Sequence, residues 1–269
     1  MIVKMSNSFP FDIEGINIKD ENIDLVVEGY TKENELIGAI VKYRNFYHPY
    51  CDEIYVYIVE KYRKLGFGSK LVNLISEKCL YPLKCSTFSN KKDSTGFLEK
   101  NGFIKKRSCW EYRVSKRSFI GNNTKNLKVQ RFCELNEESK IRILEFVVLT
   151  YFENHVTISG ANKDISIDDW IKVLTKDISD EDSFVYMENG KLFFMLNYLD
   201  SETEISVAYV GSNMEKASTV ECLNEAINTL FNKYEYMVLE IDDVDETAMI
   251  LKTLFDKKQE YSYDTYIKK

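Results

Sequence analysis

Val56-Tyr57-Ile58-Val59-Glu60-Lys61-Tyr62-Arg63-Lys64-Leu65-Gly66-Phe67-Gly68-Ser69-Lys70-Leu71 is the most informative stretch of this 269-residue chain. It starts as a β-branched and aromatic run. It passes through a basic segment with two glycines. It then enters a region where Leu71, Leu74, Ile75 and Lys78 recur at helical spacing. The order is strand, R-x-x-G-x-G, helix. Such a turn is an anion cradle. Glycine lets the backbone curl tightly and approach a ligand with no Cβ in the way. Successive N–H groups and the helix N-terminus then attract phosphate oxygens. Arg63 and Lys64 add formal positive charge. A pair of glycines in an ordinary turn is the plainer reading of G-x-G taken alone.

The stretch is not a dinucleotide-binding fingerprint, which needs a third glycine or alanine where Leu71 stands. It is not a Walker A loop either, since no G-K-[ST] follows. Downstream lies Ser94-Thr95-Gly96-Phe97-Leu98-Glu99-Lys100-Asn101-Gly102-Phe103, a short helical segment with a glycine stop. The two motifs together resemble the GNAT N-acetyltransferase superfamily. Its coenzyme loop reads [QR]-x-x-G-x-[GA], matched by Arg63, Gly66 and Gly68. Its second motif reads A-x-x-[FL]-Y-E-K-x-G-F. The resemblance covers roughly residues 23–115 by motif; over residues 126–269 it rests on the order of elements.

The resemblance implies acetyl-CoA as the coenzyme. It puts the pyrophosphate on the N–H groups of Leu65, Gly66, Phe67, Gly68 and Ser69, with Arg63 and Lys64 nearby. It puts the pantetheine arm beside the strand, on main-chain groups of Val56, Tyr57 and Ile58. Asn90 falls near a position that contacts the coenzyme in many members, although a loop Asn capping a turn is an equal reading. An amine must lose a proton before it attacks a thioester, and a carboxylate is the usual acceptor. Asp52 and Glu53 at the start of the strand are the candidates, and alternation lets only one face the site. Asp52 shares parity with Ile54, Val56 and Ile58. A solvated carboxylate at a strand end is the plainer reading of either. Tyr57 is a third candidate for the catalytic pocket, against a packing role.

Three departures stand out. Leu98 occupies the place of the tyrosine that protonates the departing thiolate in many members, and leucine has no proton to give. Only about 22 residues precede the first clear strand, where the family has a strand and two helices, so the second half is expected to wall the pocket. In the second half the corresponding place reads Gly211-Ser212-Asn213-Met214-Glu215-Lys216-Ala217-Ser218. It lacks the paired glycines, and Glu215 would repel phosphate. No coenzyme is expected there.

Composition fits this picture. The chain is 44% hydrophobic and 29% charged, with a net charge of −7. Residues 1–120 carry 20 Lys and Arg against 15 Asp and Glu; residues 121–269 carry 16 against 28. A basic half beside an acidic half fits a polyanionic coenzyme and a cationic acceptor, with solvated surface as the alternative. Nucleic acid is not an expected partner at a pI near 5.2. No apolar run has the length of a membrane span or a signal core, so a cytoplasmic, membrane-free protein is expected. The six cysteines at 51, 79, 85, 109, 133 and 222 form no C-x-x-C pair, and there are two histidines. No metal site is expected.

The element pattern predicts an α+β fold of two GNAT-like domains, each a mixed, mostly antiparallel sheet flanked by helices. Strands are expected near 23–30, 35–44, 53–59, 83–88, 108–114, 128–132, 184–188, 191–199, 204–210, 236–241 and 261–267. Helices are expected from Ser69, Asp93, Asn136 and Ser166, from a Ser218/Glu221 capping box, and from Asp243. The domains are expected at 1–118 and 127–269, with a linker over 119–126. The expected function is acetyl-CoA-dependent transfer to the primary amine of a small molecule or peptide. A non-catalytic, CoA-binding regulatory or structural tandem protein is the alternative. A homodimer is left open.

Overall fold

A computed structural model describes residues 1–6, 8, 10, 23–121, 127–257 and 261–269. Two compact units make up the chain, one of Met1–Lys106, Val156–Asn162 and Asp264–Lys269, the other of Arg107–His155 and Lys163–Tyr263. The division therefore falls near residue 106, ahead of the expected 119–126 linker, of which 122–126 lie outside the described residues. Two pieces of the sequence's second half belong to the first unit.

In the first unit β1 (Ile2–Ser6), β2 (Ile23–Tyr30), β3 (Leu36–Tyr43) and β4 (Asp52–Ile58) form an antiparallel run. The helix α1 (Phe67–Ser76), β5 (Leu83–Phe88), α2 (Lys92–Lys100) and the start of β6 (Ile104–Ser115) follow. β5 joins β4 in parallel. β12 (Tyr263–Lys268), the last strand of the chain, lies between β5 and β6 in strand order. β1 was not legible as a strand. It is an edge strand whose Ile2 and Met5 are about half exposed, so no buried face marks it in the sequence. The core of this unit packs Leu71, Val72 and Ile75 of α1 and Leu98 of α2 onto Val27, Ile40 and Ile54 of the sheet, with Tyr266 of β12. Its other face buries Val26, Ala39 and Val41 with Tyr55 against them.

In the second unit the sheet order is β6, β11 (Tyr236–Asp242), β10 (Glu204–Ser212), β9 (Lys191–Leu199), β8 (Phe184–Glu188), β7 (Gln130–Arg131). The helices are α3 (Glu137–His155), α4 (Ile167–Thr175), α5 (Lys216–Leu230) and α6 (Glu246–Lys252). Each unit thus has a mixed sheet with helices. The expected strand at 128–132 shrinks to two residues, because Phe132–Glu134 turns into one 3-10 turn. Helix α5 starts two residues before the expected Ser218 cap, with Glu215 as N-cap. Thr219 is spent on Ser212, at 2.8 Å between hydroxyls. Helix α6 is capped by Asp245, which accepts the Ala248 N–H at 2.9 Å; Asp243 instead accepts the Ser108 N–H at 2.9 Å.

Candidate active site

The site starts at the turn before α1. After one 3-10 turn at Glu60–Tyr62 the chain reaches Lys64 at φ 62° and Gly66 at φ 82°, both left-handed. Gly66 is the N-cap of α1, and no side chain caps the helix. The first intrahelical bond runs from Lys70 N–H to Gly66 C=O. The N–H groups of Gly66, Phe67, Gly68 and Ser69 therefore lack helical partners and sit at the positive end of the helix dipole. The two glycines answer to different constraints. Among the described residues nothing lies within 4 Å of a Cβ built on Gly66, so its backbone angle is what excludes other residues. A Cβ on Gly68 would stand 2.8 Å from Cε2 of Phe97 on α2.

Beside this turn the sheet opens. β4 and β5 are paired only at Asp52–Leu83 and Glu53–Lys84, and then part. Val59 N–H donates to Ile37 C=O on β3 at 2.9 Å. Main-chain groups alternate sides along a strand, so those of Tyr57 also turn to β3. Those of Val56 and Ile58 turn to the parting side, as Asp52 N–H does in donating to Pro82 C=O at 2.9 Å. Arg63 curls back here and donates Nε–H to Ile58 C=O at 2.9 Å, with its guanidinium 5.9 Å from the Tyr57 ring. Lys64 pairs with Asp93 at 3.3 Å across open surface. Leu65 is exposed, and exposed Asn90 lies in the turn before α2, its C=O accepting the Lys92 N–H at 3.0 Å.

The carboxylate candidates divide by face. Asp52 is fully buried on the α1 side. Its Oδ1 lies 3.4 Å from Lys42 Nζ and 3.7 Å from Arg44 Nε, and its Oδ2 accepts the Tyr81 N–H at 3.3 Å. It closes the end of the strand pair and is enclosed by its own partners. Glu53 points to the opposite face, the side of Tyr55 and Tyr57, and its carboxylate meets Lys84 Nζ at 2.6 Å. The segment Val156–Asn162 straps the β3–β4 loop beside it. His48 Nδ1 donates to Ser159 C=O at 2.8 Å, and Ser159 Oγ–H donates to His48 C=O at 3.0 Å. Asn162 reaches the carbonyls of Phe46 and Tyr47 at 2.9 and 2.8 Å. Burial holds His48 below its ordinary pKa; the Ser159 carbonyl opposes this, and the Lys84 charge adds to it. Lys84, His48 and the strap were missed from sequence. Nothing in a lone loop histidine or in a segment more than 100 residues away signals their meeting.

The second unit repeats the opening without the cradle. β10 and β11 pair in parallel from Glu204–Tyr236 to Val207–Leu239, and then part. The turn that follows carries Glu215 at the N-cap of α5, where a carboxylate already answers the helix dipole. A Cβ on Gly211 would stand 2.4 Å from Phe194, so this glycine serves packing.

Among the described residues, no helix is long and apolar enough to cross a membrane. The first unit thus sets a parting parallel strand pair beside a glycine-started helix N-terminus. The acetyltransferase (GNAT) family model matches residues 7–103. No curated protein sequence matches the chain. The GCN5-related N-acetyltransferase of Sphaerobacter thermophilus is similar in fold at 12% identity, with a TM-score of 0.59 over 95% of this chain and 82% of that one. A putative streptothricin acetyltransferase of Bacillus anthracis, solved with acetyl coenzyme A, is 26% identical over 32% of this chain and 50% of its own, with a TM-score of 0.28. A GNAT-family acetyltransferase of Colwellia psychrerythraea covers 91% of this chain and 85% of its own at 12% identity, TM-score 0.46. The match to the acetyltransferase (GNAT) family lies in residues 7–103, and over 95% of its length the chain shares the fold of a solved GCN5-related N-acetyltransferase.

Proposed function

We propose that this protein transfers the acetyl group of acetyl-CoA directly to a primary amine of a small molecule or peptide. The observation that carries this reading is the pairing of two features in one unit: N–H groups at Gly66–Ser69 that no side chain caps among the described residues, and the parting of β4 from β5 after Glu53. The first fits a pyrophosphate. The second leaves the main chain of Val56 and Ile58 facing a gap that an extended pantetheine arm fits as an added strand. Arg63 and Lys64 border the same turn with positive charge. Acetyl-CoA supplies the acyl group as an activated thioester.

The chain's own residues then bind, orient and move a proton. Glu53 is the candidate base: it shares its face with Tyr57, and Lys84 fixes its carboxylate in place. Asp52, enclosed by Lys42 and Arg44, holds the closed end of the strand pair instead. Leu98 is buried in the core and offers no proton to the leaving thiolate. A thiol pKa of about 8.5 makes that group a tolerable leaving group without help. The same Leu98 is what favours the second reading, a CoA-binding protein without turnover. Coenzyme consumption in a screen of amines, run beside Glu53→Gln, separates the two. Consumption lost in the variant while acetyl-CoA still binds supports transfer. Binding without consumption by any amine rejects it.

A further inference from the structure

The second unit holds a cavity of about 370 Å³ that the proposed acetyl transfer does not use. Its floor is the sheet where β6 pairs with β11. Glu111 stands directly opposite Glu240, and Cys109 opposite Asp242. Paired residues project to the same face, so three carboxylates share the floor. Like charges directly opposite each other on a sheet cost stability. Neither Glu111 nor Glu240 is in an ion pair among the described residues. Arg107, the one Lys or Arg in the lining, is already bound to Asp242 at 3.1 Å. Asp242 Oδ1 is shut off from solvent and accepts no hydrogen bond among the described residues. Over this floor stand tyrosines. Tyr151 of α3 meets Tyr209 of β10 edge to face, with ring centroids 6.1 Å apart. The opening itself comes from the sheet, since β10 leaves β11 after Val207 and shifts register at Ala208.

We infer that this cavity binds a small organic cation, an ammonium or guanidinium group carried on a short carbon chain. The excess of carboxylates over cations in the lining calls for positive charge. The tyrosine rings offer their faces to a cation and their bodies to methylenes. The volume lies in the range of small-molecule sites. A metal ion fits the floor less well. Cys109 Sγ, Glu240 and Asp242 lie within 4.8 Å of one another. However, Asp242 is held by Arg107, and burial, with the Asp242 and Glu240 charges, pushes the Cys109 thiol far above its ordinary pKa, against the thiolate a metal needs. The inference stands on the second unit alone and does not need the first unit to transfer acetyl groups.

The test is calorimetric titration of the full chain with 1,4-diaminobutane at low salt, with succinate and zinc chloride as controls. Diaminobutane is expected to bind and succinate not to. Glu111→Gln with Glu240→Gln is expected to weaken diaminobutane binding by at least about tenfold and to leave acetyl-CoA affinity unchanged. Glu111→Gln, alone and with Glu240→Gln, is expected to raise the melting temperature of the ligand-free protein, because it relieves the facing charges; that excludes misfolding as the cause of lost binding. Diaminobutane binding that survives in Gly66→Glu supports the assignment even if acetyl transfer is never found. Equal diaminobutane affinity in the double variant and the parent overturns it. So does zinc binding, lost in Cys109→Ser, in a chain that takes no amine.

Discussion

Phe97 occupies the space that a side chain on Gly68 would need: a Cβ there would come within 2.8 Å of its ring. The contact ties the start of α1 to α2, so the two segments quoted from the sequence as separate motifs are one packed unit. Gly68 is buried, and Ile58 of β4 also lies within 3.5 Å of the same point. The turn is held in shape from behind by these apolar contacts.

Gly68→Ala is therefore expected to cost about 1–3 kcal/mol of stability through overpacking. Phe97→Leu in the same chain should recover part of it. Gly66→Ala should cost about 1–2 kcal/mol through its left-handed backbone alone, with no recovery from Phe97→Leu. Both should weaken acetyl-CoA binding. Denaturant titrations and calorimetry on the four chains check this. Recovery of Gly66→Ala by Phe97→Leu would contradict the assignment of causes.

The two adjacent carboxylates are expected to separate cleanly. Asp52→Asn leaves Lys42 buried with Asp24, at 3.6 Å, as its one ion-pair partner among the described residues. Breaking a buried pair costs up to about 3–5 kcal/mol, so this variant should melt early yet turn over normally while folded. Glu53→Gln should also melt below the parent, since it takes the carboxylate from a largely buried Lys84, but it alone should lose about 10²–10⁴ in kcat, with acetyl-CoA affinity kept. Steady-state kinetics beside thermal denaturation decide it. The opposite pattern would move the proton acceptor to Asp52.

What the sequence disclosed was local. The strand, glycine turn and helix at 56–76 were legible because glycine and helical period act over a few residues, although α1 starts at Phe67 with Gly66 as its N-cap and not at the expected Ser69. So was the β8–β9 hairpin, whose turn holds Asn189 at φ 51° and Gly190 at φ 78°. The caps were less so. Ser218 and Asp243 satisfy the composition rule for an N-cap, but Glu215 and Asp245 stand where the strand before each helix delivers the chain. Contacts between distant segments left no local mark. Ser159 meeting His48, Lys84 meeting Glu53 and the last strand entering the first unit are set by topology. The alternation along β4 was legible for its side chains. Which main-chain groups faced the gap was not, since that depends on the register with β3.

That last strand should be indispensable to the first unit. Asp264, Thr265 and Tyr266 are almost wholly buried there, Tyr266 in the core with Leu71 and Leu98. A chain ending before Asp264, or a fragment of residues 1–120, is expected to be insoluble and unable to bind acetyl-CoA. Tyr266→Ala is the gentler form, at a cost of about 3–5 kcal/mol by analogy with other large aromatic truncations. Solubility, melting temperature and coenzyme titration of the three chains are the measurements. A soluble fragment that binds the coenzyme would show that the first unit needs neither β12 nor the strap.

Asp245 should give the protein a distinctive pH dependence. Burial raises its pKa to about 6; the Ala248 and Thr247 N–H groups and the Asn154 amide oppose this, and the Asp242 charge adds to it. The folded protein thus binds this proton more tightly than the unfolded chain, whose carboxyl titrates near 3.8. The group's contribution to stability is then fully present below about pH 4. It is lost as pH rises through about 6. That gap corresponds to at most about 3 kcal/mol, and solvent at the partly exposed carboxyl lowers it. Asp245→Asn keeps a good N-cap oxygen for the Ala248 N–H and removes the titration. The variant should therefore gain on the parent as pH rises from 4 to 7. At pH 4 the two should be close in stability. Urea denaturation midpoints at half-unit pH steps measure the difference. A gap between parent and variant that stays constant across this window would show that Asp245 titrates alike in the folded and unfolded chain.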